Sequence, residues 1–160
     1  MKGYGEEMGK DWLQGISEEV RVQKLVETNE FTGRYGLTLS EQDAKLLLRG
    51  RQESLKAQRR VEFGEGILPK LIFCFCDSPY ISQEDYAETL GRLQEIFYFY
   101  KNESLDMLTD EELLGCMREK FDGECHGELD YLEDTILDEL GRDVRGGRWK
   151  VQDLYIKDEE

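Results

Sequence analysis

Apolar residues recur along this chain at spacings of three and four, which is the spacing that places them on one face of a helix. The clearest stripe follows Ser82, and its members are Tyr86, Leu90, Leu93, Phe97 and Tyr100. Ile96 and Phe99 widen the stripe, so we expect a helix over about 83–101 that lies near the centre of the fold. Tyr98 falls outside the stripe and is expected to face outward.

A second helix is marked by its start signal. Ser40 precedes acidic residues that suit the positive end of a helix dipole, so we predict a helix over 41–60. One face of this helix is apolar and another is basic. The apolar residues are Ala44, Leu47, Leu48 and Leu55, and the basic residues are Lys45, Arg49, Lys56 and Arg60.

Two further helices are predicted in the second half of the chain. Thr109 and Glu112 have the spacing of a capping box, and Gly123 is expected to end the helix that they begin. A last helix is predicted over 128–140, and Gly141 would lie just past its end. Its expected inward residues are Leu129, Leu132, Ile136 and Leu140.

Two segments of the first half are less regular. A weak stripe of Val22, Leu25 and Val26 predicts an N-terminal helix over 17–30. The segment 66–76 fits a helix with Pro69 in its first turn, and its residues 71–76 also fit a buried strand. The helix is favoured because the chain offers no second strand as a partner.

These elements predict an all-α fold: a single domain of five or six helices, with room for a short strand or an extended C-terminal tail. We assign residues 1–141 to the helical domain. Residues 142–160 are interpreted as a hinge followed by a docking tail, because 142–148 is rich in glycine and arginine.

Charge is distributed very unevenly along the chain. The net charge is −15, and residues 81–160 hold 23 of the 36 acidic residues. The one basic stretch is 45–60. The electric field of such a charge distribution affects which partners the protein binds more than it affects the fold. The strong negative charge argues against a protein that binds nucleic acids or anionic membranes in general. We therefore expect the basic helix to meet the acidic region 103–139, within one chain or between two.

The cysteines and the acidic residues are the candidate metal ligands of this chain. The chain has four cysteines and lacks the paired Cys-x-x-Cys spacing of a structural zinc site, so we expect free thiols, no metal and no cofactor. The weak metal candidates are Cys125 and His126, which lie in a glycine-flanked turn where Cys125 is expected to be the most reactive thiol. The acids of 102–112 suit a divalent cation, although helix capping explains them more simply.

Four stretches of the sequence are distinctive in combination. They are NEFT and GLTLS within 29–40, RVEFGEG at 60–66, FCDSPY at 75–80 and IFYFYKNES at 96–104. Together they resemble a bacterial family of unknown function, over about residues 25–140. The resemblance implies a bacterial cytosolic protein and implies no catalytic or binding residue.

No catalytic motif stands out, so the main functional hypothesis is a non-enzymatic cytoplasmic protein that binds another protein. Its predicted partner-binding residues are Arg49, Lys56 and Arg60, and a homo-oligomer is left open. One alternative is a small enzyme that uses clustered side chains for acid–base or metal-assisted chemistry, with Glu62, Tyr98, Glu103, Asp106 and His126 as candidates. A second alternative is a mimic of nucleic acid.

Overall fold

The computed structural model describes residues 18–63 and 66–147, and every regular element in this part of the chain is helical. The helices are α1 (18–27), α2 (Asn29–Thr32), α3 (Glu41–Gln58), α4 (Leu68–Phe75), α5 (Tyr86–Glu103), α6 (Asp110–Asp122), α7 (Leu129–Tyr131) and α8 (Leu137–Arg145). A π-helical turn, Leu132–Ile136, joins α7 to α8. The all-α fold class is confirmed, and the ambiguous segment 66–76 is helical over Leu68–Phe75. None of the described helices is long and apolar enough to cross a membrane.

The residues predicted to begin α3 and α6, Ser40 and Thr109, form capping boxes. The Ser40 side chain accepts from the Asp43 N–H at 3.0 Å, and Asp43 accepts from the Ser40 N–H at 3.1 Å. Thr109 and Glu112 make the same reciprocal pair at the start of α6. These bonds satisfy backbone donors that a helix start would otherwise leave without partners, so they set where α3 and α6 begin.

Helix α5 lies at the centre and packs against α3, α4, α6 and α8. Helices α3 and α5 run in the same direction. Before their N-termini the Thr38 backbone exchanges two hydrogen bonds with the Gln83 amide, and near their C-termini Asn102 donates to the Gln58 carbonyl at 2.8 Å. Two long parallel helices therefore share one continuous seam.

The predicted stripe of α5 is buried throughout. The expectation for Tyr98 is wrong: this residue is fully buried, and its neighbour Phe99 is exposed. The reason is that α5 has neighbours on several sides, so α3 covers a face that the apolar stripe alone would leave in solvent.

The C-terminal helix differs most from expectation. The chain stays helical to Arg145, so the predicted end of the helix before Gly141 is wrong, and residues 142–145 of the segment interpreted as a hinge, 142–148, belong to α8. The π turn adds a residue to the helix and shifts its register. Leu137, Gly141 and Val144 are consequently the buried positions of α8, and Leu140 is only partly buried. The side chain of Ile136 and the predicted docking segment 149–156 lie outside the described structure.

Gly141 lies inside α8, at a buried position that faces α5. A Cβ atom added to it would lie 3.8 Å from both Glu103 and Tyr100 of α5. These are ordinary van der Waals distances, so this part of α8 packs directly against the C-terminal end of α5.

Candidate functional site

A buried ion pair joins α3 to the segment that follows it. Arg51 Nε donates to Glu62 Oε1 at 3.1 Å, and the Tyr98 hydroxyl donates to the same oxygen. The Arg51 and Tyr98 side chains are fully buried, whereas the Glu62 side chain is 25% exposed. Two of the five predicted acid–base residues, Glu62 and Tyr98, therefore come together, and they do so around an arginine.

The backbone at Gly66 and Ile67 also contacts the Glu62 carboxylate. The Ile67 N–H donates to Glu62 Oε1 at 3.3 Å. Gly66 has a φ of +61° in the left-handed region, and a Cβ atom at this position would lie 1.7 Å from Glu62 Oε1 and 2.7 Å from Arg51 Nε. Only glycine fits here, because it supplies both the backbone angle and the space. We call the contact set of Arg51, Glu62, Gly66, Ile67 and Tyr98 the Glu62 lock.

The Glu62 lock is arranged for rigidity rather than for proton transfer. Burial is the main cause that raises the pKa of Tyr98, and the bond to Glu62 adds to it, so the phenol stays a neutral donor at physiological pH. Three donors occupy the carboxylate oxygen that a general base would use. Arg51 Nη1 and Nη2 are buried and have no partner among the described residues, which makes the arginine dependent on Glu62 for charge compensation.

A second polar contact ties the same segment to the end of α5. Arg60 Nη1 donates to Asn102 Oδ1 at 2.6 Å, and Arg60 Nη2 lies 2.9 Å from Asp106 Oδ1. The hydrogen bond from Arg60 lowers the pKa of Asp106. We call this contact the Arg60 bridge, and it brings the segment 60–63 beside the loop 104–107.

Between these two contacts the chain presents apolar side chains to solvent. Val61 is 84% exposed and Phe63 is 87% exposed, and they alternate with the inward-pointing Glu62. On the neighbouring loop Leu105 is 64% exposed and Met107 is 58% exposed. We call Val61, Phe63, Leu105 and Met107 the apolar tip. It lies where α3 and α5 both end.

The backbone around the apolar tip is strained. Arg59, Leu105 and Asp106 have φ angles of 57°, 56° and 56°. Side chains other than glycine rarely adopt this left-handed region, and such strain persists only where the surrounding structure imposes it. Helix termination supplies that constraint. Arg59 is the C-cap of α3, and its N–H donates to the Lys56 carbonyl, while the Asp106 N–H donates to the Lys101 carbonyl just after α5 ends.

The predicted partner-binding residues do not behave as one group. Arg60 is engaged inside the molecule, and among the residues that the structure describes its ion pair with Asp106 is where the basic stretch meets the acidic region, as predicted. Arg49 and Lys56 are exposed, and neither forms an ion pair with another described residue. Arg59 is exposed as well, so Lys56 and Arg59 leave positive charge beside the apolar tip.

The other candidates lie elsewhere. Glu103 pairs with Arg145 at 3.0 Å, and His126 Nδ1 lies 3.3 Å from the Tyr80 hydroxyl. Cys125 is buried while His126 is exposed, so the two side chains face different surroundings. The prediction that Cys125 is the most reactive thiol stays a prediction. Within residues 18–63 and 66–147, no three acidic, cysteine or histidine side chains are grouped as metal ligands.

The sequence interpretation missed Arg51, although a signal was present. Arg51 follows Leu47 by four residues and precedes Leu55 by four, so it lies on the apolar stripe of α3. A charged residue at such a position requires a buried partner. Because Arg51 also lies within the basic stretch 45–60, its charge alone does not distinguish it from its exposed neighbours.

The geometry defines a small helical domain with a constrained, solvent-exposed apolar tip. Comparison with known families then identifies the chain more closely: the model of the family of unknown function DUF6323 matches residues 24–150, so the chain belongs to that family. No curated protein and no solved structure matches the chain.

Proposed function

We propose that this protein is a protein-binding module and that the apolar tip is its contact surface. The observation that carries the proposal is the exposure of Val61 and Phe63, which flank a carboxylate that the Glu62 lock holds inside. Contiguous exposed apolar residues on a soluble protein are typical of interaction surfaces.

The supporting structure of the apolar tip favours the same interpretation. The Arg60 bridge and the Glu62 lock fix the backbone on both sides of Val61. A backbone fixed at Arg60 and Glu62 limits the conformations of the adjoining Phe63, which lowers the entropy that is lost when a partner immobilises this residue. An exposed aromatic anchor with apolar neighbours is the usual composition of an interface hot spot.

The charges beside the tip specify the chemistry of the partner. Lys56 and Arg59 are exposed within one helical turn of Arg60, so a partner surface with an apolar cleft and acidic borders suits the tip. Such complementarity speeds association and selects the partner more than it adds affinity.

The enzyme alternative has weaker support. The hydroxyl of Tyr98 is fully buried, Glu62 Oε1 already accepts three hydrogen bonds, and Asp106 is bound by Arg60. Glu103 and His126 lie in separate contacts, so the five candidates do not surround one substrate position. The nucleic-acid mimic stays an untested prediction.

The proposal is tested by photo-crosslinking in cells followed by affinity measurement. Benzoylphenylalanine replaces Phe63 in one variant and the exposed Phe99 of α5 in a control variant. We expect a crosslinked protein from position 63 and none above background from position 99. The crosslinked protein is then purified, and its Kd is measured against the wild-type chain.

Two matched substitutions decide the outcome. Phe63→Ser should weaken binding by about tenfold or more, as expected when an interface anchor is removed. Phe73→Ser changes an equally large, exposed aromatic residue on α4 and should leave the Kd within about twofold. Equal affinity of wild type and Phe63→Ser, or an absence of crosslinks at position 63, contradicts the proposal.

A further inference from the structure

The N-terminal halves of α3 and α5 are separated by a groove of about 450 Å³. Two glycines, Gly50 of α3 and Gly91 of α5, lie along the groove with Ala87 and Leu47. Leu46, at the edge of the groove, is an exposed apolar residue. Small residues at these positions leave space between the two helices that larger side chains would fill.

The rim of this groove is acidic. It carries Asp43, Glu84, Glu88 and Glu95. Asp43 is part of the capping box of α3, whereas the three glutamates are exposed and form no ion pair with another described residue. A basic ligand at the rim would therefore find uncompensated carboxylates.

The inner wall of the groove holds a polar atom without a partner. Gln94 is almost fully buried, and its Nε2 donates to the Leu47 carbonyl at 3.2 Å. Its Oε1 has no donor among the described residues. The buried amide therefore lacks one hydrogen bond from the described residues of the single chain, and this wall of the groove is not fully satisfied.

We infer that this groove binds the apolar tip of a second copy of the chain. The inference rests on the proposed function, since it identifies the surface that the tip recognises. The tip is apolar with Lys56 and Arg59 beside it, and the groove is apolar in its floor with Glu84, Glu88 and Glu95 at its rim. The two surfaces are thus complementary in both charge and polarity.

The geometry excludes the same contact within one chain. The groove lies at residues 43–50 of α3 and the tip begins at residue 61, so about thirteen residues of helix, or about 20 Å, separate them. Because α3 and α5 are parallel, the two surfaces lie at opposite ends of one rigid pair. The contact is therefore head-to-tail, in which different surfaces of the two copies meet and successive copies are added.

The first measurement is sedimentation velocity of the full chain over a range of concentrations. We expect oligomers that grow with concentration and dissociate as sodium chloride is raised, because screening weakens the contribution of the rim charges. A chain that stays monomeric at every concentration at low salt overturns the inference.

Two variants each remove one side of the contact. Phe63→Ser alters the tip, and Gly91→Leu fills the groove. A Cβ atom at Gly91 would meet only Leu47 Cδ2, at 3.9 Å, so the backbone accommodates a side chain there. Each variant alone should associate at least about tenfold more weakly than wild type. Gly115→Leu is the matched control, because Gly115 lies in α6 with nothing within 4 Å of an added Cβ.

Mixing the two variants gives the most specific test. Phe63→Ser keeps an intact groove and Gly91→Leu keeps an intact tip, so an equimolar mixture should form 1:1 pairs and no longer species. Circular dichroism checks that each variant is folded, and Glu88→Lys replaces Gly91→Leu if that variant is not. Failure of the mixture to pair overturns the inference.

The outcomes separate this inference from the proposed function. If the chain does not self-associate but Phe63→Ser still weakens binding to a crosslinked partner, the tip binds a different protein and only the second-copy inference fails. If Phe63→Ser self-associates as wild type does and also binds the crosslinked partner normally, both fail.

Discussion

The two ends of the α3–α5 pair are built in opposite ways. At the C-terminal end, the large side chains of Arg51 and Tyr98 meet Glu62, and the space between the helices is filled by a buried polar contact. At the N-terminal end, Gly50 and Gly91 leave the space open and acidic residues border it. The same two helices thus support a rigid projection at one end and a recess at the other.

The difference shows how polar residues serve different purposes in one seam. A buried ion pair contributes little net stability, because desolvation offsets its attraction, but it tolerates few geometries. That suits a surface that must hold Val61 and Phe63 outward. Glycines in the groove fill less space than larger residues and so leave it open, which suits a surface that binds a ligand.

The largest expected effect comes from removing the centre of the Glu62 lock. Glu62→Ala leaves the Arg51 charge buried and uncompensated, so the free energy of unfolding should fall by about 3–5 kcal/mol in urea denaturation. Glu53→Ala, an exposed acid on α3, is the control and should change it by less than about 0.5 kcal/mol. A loss well under 1 kcal/mol for Glu62→Ala would mean that the C-terminal end is not held by this pair.

A smaller change tests the phenol alone. Tyr98→Phe keeps the ring and removes the hydrogen bond to Glu62, so the free energy of unfolding should fall by about 1.5–3 kcal/mol, the range for bonds to charged groups. Tyr35→Phe changes an exposed tyrosine and should have almost no effect. Equal behaviour of the two variants would contradict a structural role for the Tyr98 hydroxyl.

We also expect the free energy of unfolding of Tyr98→Phe to depend on alkaline pH differently from that of wild type. The pKa of Tyr98 is raised in the folded state, so above pH about 10 the unfolded chain loses this proton while the folded chain keeps it, and stability falls as pH rises. Tyr86 and Tyr100, whose pKa values are raised to about 12, contribute in the same direction. The slope of unfolding free energy against pH should therefore be shallower in Tyr98→Phe than in wild type.

At the other end of the pair, filling the recess should stabilise the fold. Gly91→Ala places a methyl group where the helix interior has room, so the free energy of unfolding should rise by about 0.5–1 kcal/mol. Gly115→Ala, in an open part of α6, should give a similar gain. A loss of stability for Gly91→Ala alone would mean that the groove floor is already fully packed.

The smallest expected effect concerns the Arg60 bridge. Asp106→Asn should cost about 0.2–1 kcal/mol at neutral pH, because this pair is largely exposed. The folded-state pKa of Asp106 is lowered, so its contribution is complete above the ordinary value of 3.8 and is lost as pH falls below it. The stability difference between wild type and Asp106→Asn should therefore shrink toward zero in acid. A difference that stays constant from neutral to acid pH would contradict a charge-based role.

Much of the fold was predictable because its signals are local. A cap such as Ser40 or Thr109 acts within one turn, so its position in the sequence also sets where the helix begins. The stripe from Tyr86 to Tyr100 identified the core face of α5, since any neighbour must cover it. The family assignment also depended on contiguous stretches and is confirmed.

The candidate site was only partly predictable. Glu62, Tyr98, Arg60 and Asp106 were all named as candidate residues, yet their pairing depends on contacts across 36 to 46 positions of sequence. Spacing along a helix cannot reveal such partners. The assignment of chemistry to these residues was therefore less reliable than the assignment of helices.

By itself, the sequence determined the all-α class, the starts of α3 and α6, the core face of α5 and the uneven charge. Only the tertiary structure decided that Tyr98 and Arg51 are buried, that Phe99 is exposed, and that the helix continues through Gly141. The physical reason is that periodicity reports which face of a helix is apolar, whereas burial of a polar residue depends on a partner that folding brings from elsewhere in the chain.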